Sequence, residues 1–125
     1  MQRSTFTTRI YQLVSLVPYG CVTSYGRVAG SLGHPRGARQ VGWALAATPE
    51  GLDLPAHRVV RFDGALAGGQ AFGSPAVQRA LLEAEGVRFL ADGRVDMAEH
   101  LWPEADLQAA ARRSEALRVL DGRSI

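Results

Sequence analysis

Residues 23–47 read TSYGRVAGSLGHPRGARQVGWALAA and decide the fold of this chain. Thr23 or Ser24 can cap a short helix, because a hydroxyl at that position accepts a free N–H of the first helical turn. The Gly/Pro turn at 33–35 ends this helix, and a further helix is expected over about 36–47. Two short helices joined by a tight turn form the helix-turn-helix with which many proteins read DNA.

Short elements are predicted on both sides of this segment. Apolar side chains recur at helical spacing upstream and predict an amphipathic helix over roughly 5–16. Downstream, Asp63-Gly64 is typical of a hairpin turn and would join Val59-Val60 to Ala65-Leu66. A second hairpin, or wing, is expected over 88–96.

Two more helices complete the predicted architecture, one over 74–86 that starts with a Ser-Pro pair and ends at a glycine, and one over 104–120 that follows Trp102. The apolar stripe of the last helix comprises Leu107, Ala110, Ala111, Leu117 and Leu120. The predicted fold class is α+β and mainly helical, a winged helix-turn-helix-like domain with small β-hairpins and a C-terminal helix. Residues 1–100 would form this domain, and 101–125 would be a helical extension packed on it.

Composition limits the classes of function. The 125-residue chain has a net charge of +2, and its basic half, with three arginines and no acid from Arg27 to Arg39, is the half that carries the motifs. Cys21 is the only cysteine and the three histidines lack metal-ligand spacing, so neither a disulfide nor a metal or other cofactor is expected. No apolar run approaches the ~20 residues of a membrane span, and no signal-peptide core is present, which together predict a cytoplasmic protein.

The segment Pro55-Ala56-His57-Arg58-Val59 resembles the Pro-Cys-His-Arg-Val signature of the O6-alkylguanine-DNA alkyltransferases, with Ala56 where the nucleophilic cysteine stands. Other blocks match that family in order and spacing, at 18–20, 23–29, 38–42 and 81–86. The chain is similar to the alkyltransferase-like proteins, the branch that lacks the cysteine and keeps the DNA-binding domain. Tryptophan is usual at this position in that branch, so Ala56 predicts a roomier pocket.

The resemblance implies recognition of DNA damage without repair. In the active enzymes a cysteine thiolate takes the alkyl group from damaged guanine, which the methyl side chain of Ala56 cannot do. The implied function is to bind O6-alkylguanine in duplex DNA, rotate the nucleotide out of the stack and direct it to nucleotide excision repair. The expected partners are lesion-containing double-stranded DNA and the damage-sensing proteins of that pathway; the protein is expected to be a monomer without membrane contact.

The resemblance also implies roles in DNA binding. Arg39 would fill the space that the flipped nucleotide leaves, and Tyr25 would help to rotate the target phosphate and nucleotide. Small residues would let the recognition helix approach the minor groove closely, namely Gly37, Ala38, Gly42, Ala44 and Ala46. The residues expected to contact DNA are Tyr25, Arg27, Gly37, Ala38, Arg39 and Gly42.

The predicted lesion pocket centres on Ala56. His57 and Glu85 match the residues that activate the thiol in the enzymes, and without a thiol they would persist as a buried polar network that shapes the pocket. Arg58 would bond backbone carbonyls of the pocket loop, and residues 68–70 fall where the family has a lid over the flipped base. The expected pocket residues are Tyr25, Pro55, Ala56, His57, Arg58, Val59 and Gly69.

Two other interpretations remain open. The chain could be the Cys-to-Ala form of an active O6-alkylguanine-DNA methyltransferase, or a winged helix-turn-helix regulator that reads undamaged sequence. Cys21 is a conceivable replacement nucleophile. However, no obvious cationic neighbour would lower its pKa, and most lone cysteines are small buried hydrophobic residues.

Overall fold

Helices dominate the computed structural model, which describes residues 5–66 and 74–123, with side chains as far as residue 114. In chain order the elements are α1 (Thr5–Val14), β1 (Thr23–Ser24), α2 (Tyr25–Ser31), α3 (Ala38–Ala46), a 3₁₀ turn (Ala56–Arg58), β2 (Val59–Val60), α4 (Pro75–Ala84), α5 (Met97–His100) and α6 (Glu104–Arg123). The mainly helical α+β class predicted from the sequence is confirmed.

The helix-turn-helix forms where the sequence predicts it. Ser24 Oγ accepts the backbone N–H of Arg27 at 3.2 Å and so caps α2. Gly33 has a φ of +86°, a left-handed conformation that lets the chain turn after α2. Helix α3 then packs against α2. It begins at Ala38, two residues later than expected, because Gly37 is its N-cap rather than part of its first turn.

The prediction that Val59-Val60 pairs with Ala65-Leu66 in a first hairpin is wrong. The turn itself forms, since Gly64 N–H donates to Arg61 O at 2.8 Å and Arg61 N–H donates to Ala65 O at 2.9 Å. Val59-Val60, however, pairs in parallel with β1, a strand that the sequence analysis did not predict. Both valines are fully buried, and a two-residue hairpin at the surface could not enclose them.

The second predicted hairpin is present in reduced form. Its strands shrink to one antiparallel bridge between Phe89 and Val95, flanked by the Leu90 N–H···O Arg94 bond of 2.7 Å. Helix α4 begins with the predicted cap, because Ser74 Oγ accepts the Val77 N–H at 3.3 Å.

Two clusters of buried side chains form the core. The first core cluster comprises Ile10, Tyr11, Leu13, Val14, Val17, Val28, Ala29, Leu32, Val41, Ala44, Leu45, Val59, Trp102, Leu107, Ala110 and Ala111. The second core cluster comprises Val22, Val60, Leu82, Val87 and Val95. Val59 belongs to the first and Val60 to the second, because successive side chains of a strand point to opposite faces. The β1–β2 pair therefore lies where the two clusters meet.

The C-terminal part of the chain is fastened to this core. The Trp102 side chain is 5% exposed. The backbone N–H of Trp102 donates to Val22 O at 2.8 Å, and the backbone N–H of Val22 donates to His100 O at 2.9 Å. Helix α6 packs on α1 and buries Leu107, Ala110 and Ala111 as predicted. The side chains of Leu117 and Leu120 lie outside the described part of the structure. Among the described residues, no helix combines the length and the apolar character that a membrane span requires.

Candidate functional site

The 3₁₀ turn Ala56–Arg58 directly precedes β2 and packs against α4. Pro55 is its N-cap, and Arg58 N–H donates to Pro55 O at 3.0 Å, which closes the turn. Ala56 is partly exposed and packs against the first core cluster. Its methyl group contributes shape to the site and offers neither a proton nor an electron pair.

Glu85 forms hydrogen bonds with two polar side chains of this turn. Its Oε2 lies 2.7 Å from His57 Nε2 and 2.8 Å from an Arg58 terminal nitrogen, and its Oε1 accepts the Gly20 N–H at 2.9 Å. The Glu85 side chain is only 7% exposed, and those of His57 and Arg58 are 16% exposed. The polar network expected for His57 and Glu85 thus forms, and it also contains Arg58.

The contacts of Arg58 differ from the prediction. Its second terminal nitrogen donates to Val17 O, just after α1, at 2.8 Å, rather than to carbonyls of the pocket loop. The other guanidinium nitrogens pair with Glu85. A planar guanidinium with five donors can bond a carboxylate and a carbonyl together, so Arg58 ties the turn to two other segments.

These hydrogen bonds set the ionisation of Glu85. Burial alone would raise its pKa, but the bonds from Arg58, Gly20 and His57 outweigh burial and lower the pKa to about 2. Glu85 is therefore a carboxylate at neutral pH. It holds the His57 ring in a fixed orientation, as a histidine that served a nucleophile would need.

Gln78 is a site residue that the sequence analysis missed. This fully buried side chain on α4 donates from Nε2 to His57 O and to Val59 O, each at 3.1 Å. The turn and β2 are thereby attached to α4. The available signal was a glutamine four residues before Leu82, on the apolar face of an amphipathic helix.

A cavity of about 480 Å³ borders the turn. Its described lining consists of Ser15, Asp53, Leu54, Pro55, Ala56, His57, Arg58 and Leu81. Four of the predicted pocket residues, 55–58, therefore line one space. Val59 is buried beneath it, and Tyr25 is absent from its described lining. Gly69 and the rest of the predicted lid, 68–70, lie outside the described residues.

Tyr25 begins α2 and packs, partly exposed, against the first core cluster. Burial raises the pKa of its phenol, and Arg61 offsets part of this rise. A tyrosine phenol is in any case protonated at neutral pH, so Tyr25 can donate a hydrogen bond to a phosphate. A Cβ on Gly42 of α3 would lie 3.9 Å from the Tyr25 ring, so the ring lies close to α3 at this glycine.

Helix α3 presents Arg39 to solvent. The small residues around it do not all share that face, which corrects the expectation that all five let the helix approach DNA closely. Gly37 is buried, and a Cβ there would lie 3.0 Å from Phe6 Cζ and 3.1 Å from His34 O, so its small size serves internal packing. Ala44 belongs to the first core cluster. The exposed face of α3 instead carries the indole of Trp43.

Arg27 is engaged within the protein. One of its terminal nitrogens donates to Trp102 O at 3.1 Å and pairs with Glu104 Oε2 at 2.8 Å. Since these bonds join α2 to the start of α6, we place Arg27 outside the proposed DNA contacts.

Cys21 is partly buried against the first core cluster. Burial raises the pKa of its thiol, and the positive charge of Arg58 offsets only part of that effect. A thiol of raised pKa is a poor nucleophile at neutral pH. Arg58 is thus a cationic neighbour that the sequence analysis did not identify, but its effect on the Cys21 pKa is smaller than that of burial.

These features define a class of protein, a helix-turn-helix domain with an exposed arginine on its second helix and a rigid polar network behind a turn without a nucleophile. The family described as 6-O-methylguanine DNA methyltransferase, DNA binding domain, matches residues 5–87. The chain belongs to this family, so the predicted resemblance is confirmed.

Some of its relatives are named as methyltransferases, and others are named as a base-flipping protein or an alkyltransferase-like protein. The DNA base-flipping protein of Escherichia coli is 42% identical over 104 residues, which cover 81% of this chain and 77% of that protein. Alkyltransferase-like protein 1 of Schizosaccharomyces pombe is 32% identical over 106 residues, covering 82% and 98%. Its crystal structure with damaged DNA containing O6-carboxymethylguanine matches with a TM-score of 0.69 over 82% of this chain and 99% of that one. The methylated-DNA–protein-cysteine methyltransferase of Mus musculus is 39% identical over 87 residues, covering 69% and 41%.

Proposed function

We propose that this protein recognises O6-alkylguanine in duplex DNA by flipping the damaged nucleotide, and that it does not repair the lesion. The observation that carries the proposal is the complete His57–Glu85–Arg58 network behind Ala56. His57, which would act as the general base for a nucleophile, is present together with the groups that orient it. At the position of the nucleophile, however, stands Ala56. Such a site would receive the damaged base without taking its alkyl group.

In the proposed complex, α3 enters the minor groove and Arg39 occupies the space of the flipped nucleotide. Flipping costs a few kcal/mol, and a cation that fills the gap and contacts phosphates or bases offsets part of this. The Tyr25 phenol, which is protonated at neutral pH, would donate to the phosphate of the rotated nucleotide. The flipped base would lie beside Ala56, where the absence of a larger side chain leaves room for its alkyl group.

The names of the relatives support the same interpretation. One is named for base flipping, and another was crystallised with DNA carrying O6-carboxymethylguanine. A regulator of undamaged sites would have no use for the His57–Glu85 pair. A transferase would need a thiol at position 56, and the one thiol of the chain, Cys21, has a raised pKa.

A titration of two matched duplexes tests this proposal. One duplex carries a single O6-methylguanine and the other a guanine, both at one salt concentration because phosphate contacts make affinity salt-dependent. The intact mass of the protein is then measured. We expect tighter binding of the lesion duplex and an unchanged mass.

The other outcomes are equally informative. Equal binding of both duplexes would contradict lesion recognition and leave a general DNA-binding protein. A mass increase of one methyl group would contradict the non-catalytic assignment, and the variant Cys21→Ser would then show whether Cys21 accepts the methyl group.

We further propose that the protein acts as a monomer in the cytoplasm and passes the lesion to the damage-sensing proteins of nucleotide excision repair. One copy of α3 and of the Ala56 turn carries all the contacts proposed above. Loss of the gene should sensitise cells to alkylating agents only where the excision pathway is intact. Equal sensitivity in cells with and without that pathway would contradict the handover.

A further inference from the structure

Trp43 is a large aromatic side chain that the proposed function has not used. It is 63% exposed on α3, whereas the other tryptophan, Trp102, is 5% exposed. The buried face of α3 carries Val41, Ala44 and Leu45, so Trp43 belongs to the opposite face, together with Arg39. Exposing an indole to water is unfavourable, and its place on the same face as Arg39 makes it a candidate for the same contact surface.

The spacing between Trp43 and Arg39 places both in one footprint. Residues four apart share a helix face and are separated by about 6 Å along the axis. Successive nucleotides of a strand are about 3.4 Å apart along B-DNA. If α3 follows the groove, a side chain one helical turn from Arg39 is therefore expected to reach a nucleotide one or two positions from the flipped one.

The charge around Trp43 favours DNA over a protein as the occupant of this surface. The first 49 residues contain five arginines and no aspartate or glutamate. Both α1 and α3 come from this segment, and they border a groove of about 490 Å³ that Trp43, Gln40 and Phe6 help to line. The described lining of this groove contains no acidic side chain, and exposed Arg39 lies on the same helix, which favours attraction of a phosphate backbone.

We infer that Trp43 is a second DNA-contacting residue, whose indole packs in the minor groove against deoxyribose and base edges one to two nucleotides from the flipped base. This inference rests on the proposed function. Apolar side chains inserted into the minor groove partly unstack base steps and bend the duplex. Trp43 thus stabilises the bent duplex, whether or not a nucleotide is flipped. Because it touches neighbouring nucleotides and not the alkyl group, it strengthens binding of damaged and undamaged duplexes equally.

The chain offers a direct optical test. In the variant Trp102→Phe, Trp43 is the only tryptophan, so its accessibility to acrylamide is read from fluorescence quenching. DNA binding is measured independently by the anisotropy of a labelled O6-methylguanine duplex. At saturating duplex, we expect acrylamide quenching of Trp43 to fall several-fold.

The two signals separate the possible failures. Saturated binding by anisotropy, with unchanged quenching of Trp43, would overturn the role of Trp43 and leave the proposed function standing. The absence of DNA binding by both this variant and the wild-type protein would overturn both.

Substitution provides a second test that does not depend on the Trp102→Phe background. Trp43→Ala should weaken binding of the lesion and guanine duplexes by the same factor, roughly tenfold, as for loss of one aromatic contact to a base. Trp43→Phe should retain most of the affinity. Leu90→Ala removes another exposed apolar side chain, in the reduced hairpin beside the second core cluster, and should leave binding unchanged. Wild-type affinity of Trp43→Ala would overturn the inference.

Discussion

Glu85 joins three segments that are distant in sequence, since Gly20, the turn at His57–Arg58 and the end of α4 meet at its carboxylate. At the scale of single residues, this carboxylate holds in place the turn that carries Ala56. Removing one partner from such a nearly buried cluster leaves uncompensated charge, which is more destabilising than losing a surface ion pair.

The pKa of Glu85 predicts a specific pH dependence of stability. Its value in the folded protein is about 2, below the ordinary 4.5, so the carboxylate contributes stability above about pH 4.5 and loses it as the pH falls towards 2. Urea denaturation should show the free energy of unfolding falling across this window by on the order of 2 kcal/mol. Glu85→Gln should be less stable at pH 7 and lack this dependence. Glu83→Gln serves as the control, because the Glu83 side chain is 53% exposed. Its stability should depend on pH as that of the wild type does.

Arg39 gives the second prediction at this scale. Arg39→Ala should weaken binding of the O6-methylguanine duplex about 10- to 100-fold, the loss expected for a charge-assisted contact of about 1.5–3 kcal/mol. Fluorescence of 2-aminopurine beside the lesion should also stop reporting a flipped nucleotide. Arg112→Ala, an exposed arginine on α6, is the matched control. Equal losses for both variants would indicate general charge attraction rather than a role in flipping.

The sequence identified only part of this site. Ala56, His57 and Glu85 were found because the family signature carries them. The bonds of Arg58 to Val17 and of Gln78 to the turn were not found, because they depend on where α1 and α4 pack, which no local pattern specifies. Trp43 was missed for the same reason, since its exposure depends on which face of α3 meets the core.

At the scale of elements, helix boundaries were predicted well and strand partners poorly. The caps at Ser24 and Ser74 are local interactions within a few residues, so the sequence reveals them. The pairing of Thr23 with Val59 joins strands far apart along the chain. A hairpin turn at Asp63-Gly64 predicted a neighbouring partner, but burial of both valines of β2 decided the pairing.

Gly64 provides a test of how the loops hold these elements. Its φ is +89°, and a Cβ would lie 2.7 Å from Val95 O, a backbone atom that cannot move freely. Gly64→Ala should therefore lower the free energy of unfolding by about 2 kcal/mol or more. Gly93 also has a φ of +89° but nothing within 4 Å, so Gly93→Ala should cost only about 1 kcal/mol. Equal costs in chemical denaturation would show that the contact with Val95 is unimportant.

At the scale of the whole molecule, α6 completes the first core cluster beside α1. Leu107 is 1% exposed, and truncating a buried leucine costs about 2–5 kcal/mol, so Leu107→Ala should lower the melting temperature markedly. Leu90→Ala makes the same chemical change at a residue that is 42% exposed and should alter stability by less than about 0.5 kcal/mol. If Leu107→Ala melted like Leu90→Ala, α6 would not be an integral part of the core.

The hydrogen bonds between Val22 and residues 100–102 affect how the protein folds while it is being synthesised. Ribosomes add about 5–20 residues a second, so roughly 4–16 s separate the synthesis of Val22 from that of Trp102. During that interval the nascent chain exposes an unpaired strand edge and a half-built apolar core, both of which promote aggregation. Cells that make this protein rapidly should therefore depend on chaperones that shield emerging chains, and messages truncated before codon 102 should yield products that are degraded.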